Sequence, residues 1–275
     1  MSVTHDRPPA RHRYGQHHLV DQGTLRAILG MARVRADDVV LEVGAADGLL
    51  TRHLLAQARV VHAFEIDRRF AGGLTELAAG RDALRVHLTD ALRYPLADLE
   101  PPPSALVANL AYNIAIPLLM RTIVGLPGVR RWAVMLQREL AERLFAAPRT
   151  KAYSAVSVVT QLSCALEAQR PVPRTVFSPR PRVDSAFVVF ARTAARPASE
   201  AAVLDALVRG AFGQRRKQLV NSLAGAAPPG GAPLTRTAVE GGLAALGLRP
   251  TARPEELAPA SFVDLARALG WLEAV

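Results

Sequence analysis

Residues 37–48 read DDVVLEVGAADG, and the reading of this stretch decides the fold. An apolar run, Val39-Val40-Leu41, leads into Glu42-Val43-Gly44-Ala45-Ala46-Asp47-Gly48. Leu49, Leu50, Leu54 and Leu55 then recur at helical spacing. A strand, a turn of small residues and a helix form the entry to a ligand crevice in an open α/β sheet. Small residues let a ligand approach the backbone, and the helix start presents unpaired N–H groups. No Gly-Lys-Ser/Thr follows, so this is not a phosphate-binding P-loop, and the dinucleotide pattern G-x-G-x-x-G is absent.

Outward from this stretch the same pattern repeats. Predicted strands at 38–43, 60–66, 84–88 and 105–108 alternate with predicted helices at 48–57, 68–79 and 116–125. Upstream, Asp21 is placed to cap a helix over 22–33 that turns Leu25, Ile28, Leu29 and Ala32 to one face. Downstream come a strand at 131–136, a helix at 137–145, and strand-like segments at 156–166 and 186–191 separated by a loop over 171–185. Such alternation predicts parallel strands with crossover helices, an α/β Rossmann-like domain. Gly44, Glu65, Asp90 and Asn109 all fall where a predicted strand ends, and that edge is where open α/β sheets bind ligands. The stretch TAARPASE, 193–200, reads as a linker into helical patterns at 201–213, 215–224, 236–246 and 260–270. The expected organisation is a mobile basic arm over 1–13, the α/β domain over 14–192 and a small all-helical domain over 193–275.

Half of the 275 residues are hydrophobic, enough for a packed core, yet no apolar run approaches the roughly 20 residues of a membrane span. The N-terminus is basic and lacks the apolar stretch of a secretory signal, so a cytoplasmic protein without membrane attachment is expected. The single cysteine, Cys164, excludes an intramolecular disulfide and a Cys-cluster metal site, and the seven histidines show no metal-ligand grouping. Formal net charge is +10, the footprint of a polyanion binder, and nucleic acid is the expected partner. Nearly all of that positive charge is Arg, with Lys only at 151 and 217. Compositional bias accounts for Arg over Lys but not for the excess of positive over negative charge.

At Asn109-Leu110-Ala111-Tyr112-Asn113 the chain reaches a stretch that resembles the pattern N-L-P-Y-N. Together with other motifs in order, it resembles the rRNA adenine N6-dimethyltransferases of the KsgA type. Tyr14-Gly15-Gln16-His17-His18-Leu19 resembles F-G-Q-N-F-L, and Glu42 to Gly48 resembles E-x-G-x-G-x-G. Glu65-Ile66-Asp67 and Asp90-Ala91 resemble the acidic strand ends of that family. The stretch Phe177 to Ser185 resembles F-x-P-x-P-x-V-D-S, and Phe212 to Leu223 resembles F-x-x-R-R-K…N-x-L. The related Erm enzymes, which act on large-subunit rRNA, share most of the first part; the tail favours the KsgA type.

The resemblance implies S-adenosylmethionine (SAM) as methyl donor and dimethylation of two adjacent adenines near the 3′ end of small-subunit rRNA. It also implies a late role in subunit assembly and favours a monomer. Expected donor ligands are Gln16, His17 and Leu19 from the arm, Gly44, Glu65 for the ribose hydroxyls, Ile66 against the adenine, Asp90 and Ala91 for its edge, and Asn109. In the catalytic set, Asn109 and the Leu110 carbonyl accept the amino N–H groups of the target base, Tyr112 stacks on it, and Phe177 covers its other face. Arg215, Arg216 and Lys217 are expected to contact RNA phosphates, with Arg138 and Arg143 as further candidates. Three positions depart from the family pattern: Ala46 for a glycine, Ala111 for the proline and His17-His18 for Asn-Phe. Two alternatives remain at this level: an Erm-type enzyme of large-subunit rRNA, or an assembly factor whose catalysis has decayed.

Overall fold

The computed structural model describes residues 8, 11, 14–193, 196–214 and 217–273. Its elements in chain order are β1 (His18–Leu19), α1 (Gln22–Ala32), β2 (Val39–Val43), α2 (Leu49–Leu55), β3 (Val60–Phe64), α3 (Ala71–Ala78), β4 (Leu84–His87), β5 (Ala105–Asn109), α4 (Ala115–Gly125) and β6 (Arg131–Gln137). There follow α5 (Arg138–Leu144), α6 (Ala155–Ser163), β7 (Cys164–Val172), β8 (Phe177–Ser178), β9 (Ser185–Arg192), α7 (Ala198–Phe212), α8 (Leu219–Leu223), α9 (Arg236–Ala245) and α10 (Pro259–Ala268).

The chain divides into two compact units. The first takes its described residues from Met1–Leu119, Gly128–Ala141 and Leu166–Arg192, and it holds a seven-stranded sheet of order β4-β3-β2-β5-β6-β9-β7. Strand β2, VVLEV, is buried along its whole length, as the centre of a sheet covered on both faces requires. It pairs in parallel with β3 on one side and β5 on the other. The crossovers therefore leave in opposite directions from β2, and the carboxyl ends of β2 and β5 flank a topological switch point. At the far side β9 runs antiparallel to β6 in a register from Arg131↔Ala191 to Gln137↔Ser185. Trp132 and Phe190, opposite each other in that register, stack with ring centroids 5.2 Å apart. The cap on α1 forms as expected, with the Thr24 N–H donating to Asp21 Oδ1 at 2.6 Å.

Two readings of secondary structure are corrected. The segment over 156–166 is not a strand: α6 occupies Ala155–Ser163 and β7 begins at Cys164. Its β-branched residues favour a strand, but Ser154 and Ser157 form a capping box at the helix start. Burial of Val158, Val159, Thr160 and Leu162 against neighbouring helices then outweighs propensity. The loop over 171–185 is not structureless either. Strand β1 pairs antiparallel with β8, His18 opposite Ser178 and Leu19 opposite Phe177.

The second unit takes its described residues from Met120–Pro127, Glu142–Ala165 and Thr193–Val275. Helix α6 packs against α7 and α10 within it. Its core carries an aromatic chain, Tyr153 to Phe212 to Phe262, each step 6.0 Å between ring centroids. The Tyr153 hydroxyl donates to the Leu257 carbonyl at 2.8 Å. Cys164 is buried as a core residue. Of the expected linker, Thr193 donates to the Ser163 carbonyl and 198–200 already belong to α7, while 194–195 lie outside the described residues. The expected arm over 1–13 lies outside them too, apart from Pro8 and Arg11. Among the described residues no helix is long and apolar enough to cross a membrane.

Candidate active site

The carboxyl ends of β2, β3, β4 and β5 open into one cavity of about 290 Å3, lined in part by Gly44, Glu65, Asp90 and Asn109. Parallel strands bring four residues far apart in the chain to one edge. The turn after β2 is backbone-driven: Gly44 sits at φ +86° and Gly48 at φ +75°, conformations that L side chains adopt at a cost. The Gly44 and Ala45 N–H groups are both taken up by the Phe64 carbonyl, which presses the turn against the end of β3.

Glu65 is buried at the floor of this cavity. Its Oε2 accepts the Ala46 N–H at 2.8 Å and its Oε1 accepts the Asp67 N–H at 2.7 Å. Burial pushes its carboxyl above the ordinary range, and these N–H groups offset part of that effect. A carboxylate has about four lone-pair sites, so one on each oxygen remains for a pair of hydroxyls. Ile66 lines the same cavity and is 43% exposed, an apolar surface available to a flat ring. Asp90 accepts the Leu92 N–H on Oδ1 at 2.9 Å, and its carbonyl accepts the Arg93 and Tyr94 N–H groups. It thus closes a turn and lines the cavity at once, beside the buried Ala91.

The segment leading into β1 lies at the opening, where Tyr14, Gly15, Gln16 and His17 line the cavity. Gln16 Nε2 donates to Asp67 Oδ2 at 3.2 Å and its Oε1 accepts the Arg11 N–H at 2.8 Å, so its amide pins the arm to the end of β3. Asp67 also takes the Arg69 guanidinium at 2.5 Å, which holds its carboxyl well below the usual carboxylate range. Asn109 Nδ2 donates to the His17 carbonyl at 2.9 Å. That bond settles which way the amide faces and leaves Oδ1 as its free acceptor. The Tyr112 ring lies 5.5 Å from the His17 ring, tilted by 34°, and its hydroxyl is 2.8 Å from Ser185 Oγ. Burial pushes the Tyr112 phenol upward, so it stays protonated.

Two expected site residues are placed elsewhere. Phe177 is only 4% exposed, belongs to the hydrophobic core, and does not line the cavity. Leu19, its partner across β1 and β8, is likewise a core residue. It borders a smaller adjoining cavity of about 50 Å3 that it shares with Gly44, Ala46 and Asn109. Large apolar side chains facing inward from a two-stranded ribbon gain more by burial than by edging a polar site.

A family model described as ribosomal RNA adenine dimethylase matches residues 8–241. The chain belongs to the ribosomal RNA adenine dimethylase family. Its relatives include a ribosomal RNA small subunit methyltransferase A of Rubrobacter xylanophilus, 42% identical over 260 residues, 94% of this chain and 95% of that protein. Another of that name, from Kineococcus radiotolerans, is 42% identical and spans 92% of this chain and 83% of its own. Among solved structures, a dimethyladenosine transferase from Plasmodium falciparum superposes with a TM-score of 0.73 at 24% identity, covering 92% of this chain and 98% of the other. The 23S rRNA methyltransferase ErmE superposes with a TM-score of 0.62 at 28% identity, covering 92% and 99%. The dimethylase is a SAM-dependent enzyme with the Rossmann-like fold expected from its strand order.

The departures of this dimethylase from the family pattern lie at the cavity. Ala46 lines it in a left-handed conformation, φ +49°, a position that suits glycine. The Ala111 carbonyl accepts the Ile114 N–H at 3.1 Å, closing a turn into α4 without a proline. Of the His17-His18 pair, His17 bonds the Pro179 carbonyl through Nδ1 at 2.8 Å and His18 is buried. Sequence reasoning missed the lining role of Tyr14, Gly15, Thr89, Asn113 and Ile114, although each belongs to or adjoins a quoted motif. It also missed the Gln16–Asp67–Arg69 chain of bonds, which no spacing in the sequence reveals.

For the expected RNA-contacting residues, Arg138 is exposed at the start of α5 and Lys217 is exposed after α7. Arg143 is half-buried and its carbonyl accepts the Ser157 hydroxyl at 2.6 Å. Arg215 and Arg216 lie outside the described residues.

Proposed function

We propose that this dimethylase transfers methyl groups from SAM to N6 of two adjacent adenines near the 3′ end of small-subunit (16S) rRNA. On this reading it acts as a cytoplasmic monomer on an assembled small subunit, late in assembly. The observation that carries the catalytic part is the fixed Asn109 amide at the cavity, whose Nδ2 donates to the His17 carbonyl and so leaves Oδ1 as its acceptor. The names and near-complete coverage of relatives at about 40% identity support the small-subunit target over the large-subunit one.

SAM supplies an electrophilic methyl carbon on a sulfonium. Glu65 holds the ribose hydroxyls with its two remaining lone pairs, Ile66 packs on the adenine of the donor, Asp90 and Ala91 read its edge, and Gly44 admits the methionine portion. Gln16 and His17 close the opening. The difficulty lies in the acceptor, because an adenine amino group delocalises its lone pair into the ring. Asn109 Oδ1 and the Leu110 carbonyl draw that pair out by accepting both N–H groups, and Tyr112 gives the unstacked base a face. Positioning and fixed dipoles supply most of the rate, so no strong base is needed. Unstacking the base costs a few kcal/mol, partly offset by stacking on the aromatic ring.

The test mixes the protein with labelled SAM and with small or large subunits lacking the modification, then maps the label. Label in 16S rRNA supports the proposal, label in large-subunit rRNA supports an Erm-type activity, and binding without transfer identifies a decayed assembly factor. Asn109→Ala should lose transfer by roughly 100-fold or more while SAM affinity, read by calorimetry, changes only a few-fold. A variant that keeps wild-type transfer would remove Asn109 from the chemistry.

A further inference from the structure

A second cavity of the sheet unit, about 370 Å3, opens beside the end of β6 and is lined by Arg138, Arg174, Arg182, Glu139 and Asp184 among others. Asp184 organises it. Its carboxylate accepts the Arg174 N–H at 3.0 Å and its carbonyl accepts the Arg138 N–H at 3.0 Å. The Arg174 guanidinium in turn donates to the Arg182 carbonyl at 3.3 Å. Three arginines and two acidic residues line it, so the lining is net positive, and one of those carboxylates is already engaged by a backbone N–H. The next residue, Ser185, holds the Tyr112 hydroxyl at 2.8 Å and lies opposite Gln137 in the β6–β9 register. One Cα step of about 3.8 Å thus separates the residue that organises the arginines from the residue that fixes the base platform.

We propose that this arginine cavity seats a backbone phosphate of the RNA substrate, next to the nucleotide whose base lies on Tyr112. The inference rests on the reading of Tyr112 as that platform. A base placed there must carry its sugar and phosphate out of the first cavity, and the arginines at the adjacent strand ends meet it. Guanidinium groups bind phosphate oxygens in pairs through a planar fork, which a lysine cannot reproduce in full. Phosphate contacts of this kind set the register of the strand and carry no base preference. Arg138, Arg174 and Arg182 are therefore positioning residues, and their effect falls on substrate affinity.

The experiment compares wild type with Arg174→Ala/Arg182→Ala, using labelled SAM and small subunits lacking the modification, between 50 and 200 mM KCl. The double variant should raise KM for the subunit roughly tenfold and leave kcat within about threefold. The logarithmic salt dependence of its affinity should be shallower by about 1 to 2. SAM affinity and melting temperature should not change, and Arg182→Lys should recover part of the loss. Arg182→Gln, tested alone, covers a disturbance of the loop by the double change and should reproduce a smaller KM effect. An unchanged KM and salt dependence would overturn the proposal, as would a raised KM with an unchanged salt dependence. The wild-type control separates the two claims. If wild type labels no small subunit, the substrate reading fails, and the cavity is then judged on binding of small-subunit rRNA alone, where the double variant must still lose salt-dependent affinity.

Discussion

Ala46 holds a left-handed backbone at φ +49° with its N–H bonded to Glu65, so its methyl group sits on a strained turn at the proposed donor site. Such a conformation costs an L residue about 1–2 kcal/mol, while glycine there would add roughly 0.4–1 kcal/mol of unfolded-chain entropy. Ala46→Gly should therefore stabilise the protein by about 0.5–1 kcal/mol, a rise in melting temperature of about 1–4 °C. A lower melting temperature would show that the methyl group is supported by packing. Glu42, on β2 beneath this turn, is a second residue out of balance. It is buried, and neither carboxyl oxygen has a hydrogen bond of normal geometry among the described residues. Burial pushes its carboxyl up to about 8, with Glu65 and Asp47 adding to the rise and the neighbouring Thr51 offsetting part of it. The folded chain then keeps a proton that the unfolded chain releases near its ordinary value of 4.5. Stability from this group is full below that value and is lost as pH rises to about 8. At pH 7 the loss is on the order of 2–3 kcal/mol. The melting-temperature advantage of Glu42→Gln over wild type should grow from pH 5 to pH 8; a constant difference would contradict the assignment.

At the scale of elements, the ribbon of β1 and β8 explains why Phe177 is not where the resemblance implies. The register Leu19↔Phe177 turns both side chains into the core and leaves His17 to face Tyr112 and Asn109. Phe177→Ala should therefore act first on stability, at about 3–5 kcal/mol for a buried aromatic, and should loosen the segment before β1 whose His17 carbonyl orients Asn109. A variant with unchanged melting temperature but reduced kcat/KM would instead return Phe177 to the base-stacking role. Strand ends were legible from the sequence because apolar runs and polar termini alternate along one chain: β2, β3, β4 and β5 end within two residues of their expected ends. The ribbon was not legible, since two-residue strands have no periodicity to read. Helix α6 was misread for a different reason. Its β-branched residues carry a strand propensity that is worth less than the burial they gain against α7 and α10.

For the molecule as a whole, the formal net charge of +10 has a measurable consequence. Binding of wild type to ribosomal subunits should weaken steeply between 50 and 200 mM salt, with a linear log–log dependence whose slope counts released counterions. A flat dependence would mean that the arginines serve solubility alone. Charge is a property of composition and can be read before any fold is known; where it gathers cannot. Arg174 and Arg182 stand in a stretch that reads as a loop, and only the antiparallel return of β9 along β6 brings them to Arg138.

The sequence by itself determined the α/β alternation, the four strand-end residues that line one cavity and the family to which the chain belongs. Each of these is a local pattern, or a set of local patterns in a fixed order. The tertiary structure alone decided which way the Asn109 amide faces, that Phe177 and Leu19 are core residues, and that Ala46 is strained beside the buried Glu65. These depend on contacts between residues tens of positions apart, such as Asn109 with His17 and Ala46 with Glu65. The free energy of such contacts is set by packing and burial at the meeting point, and no window along the chain contains both partners.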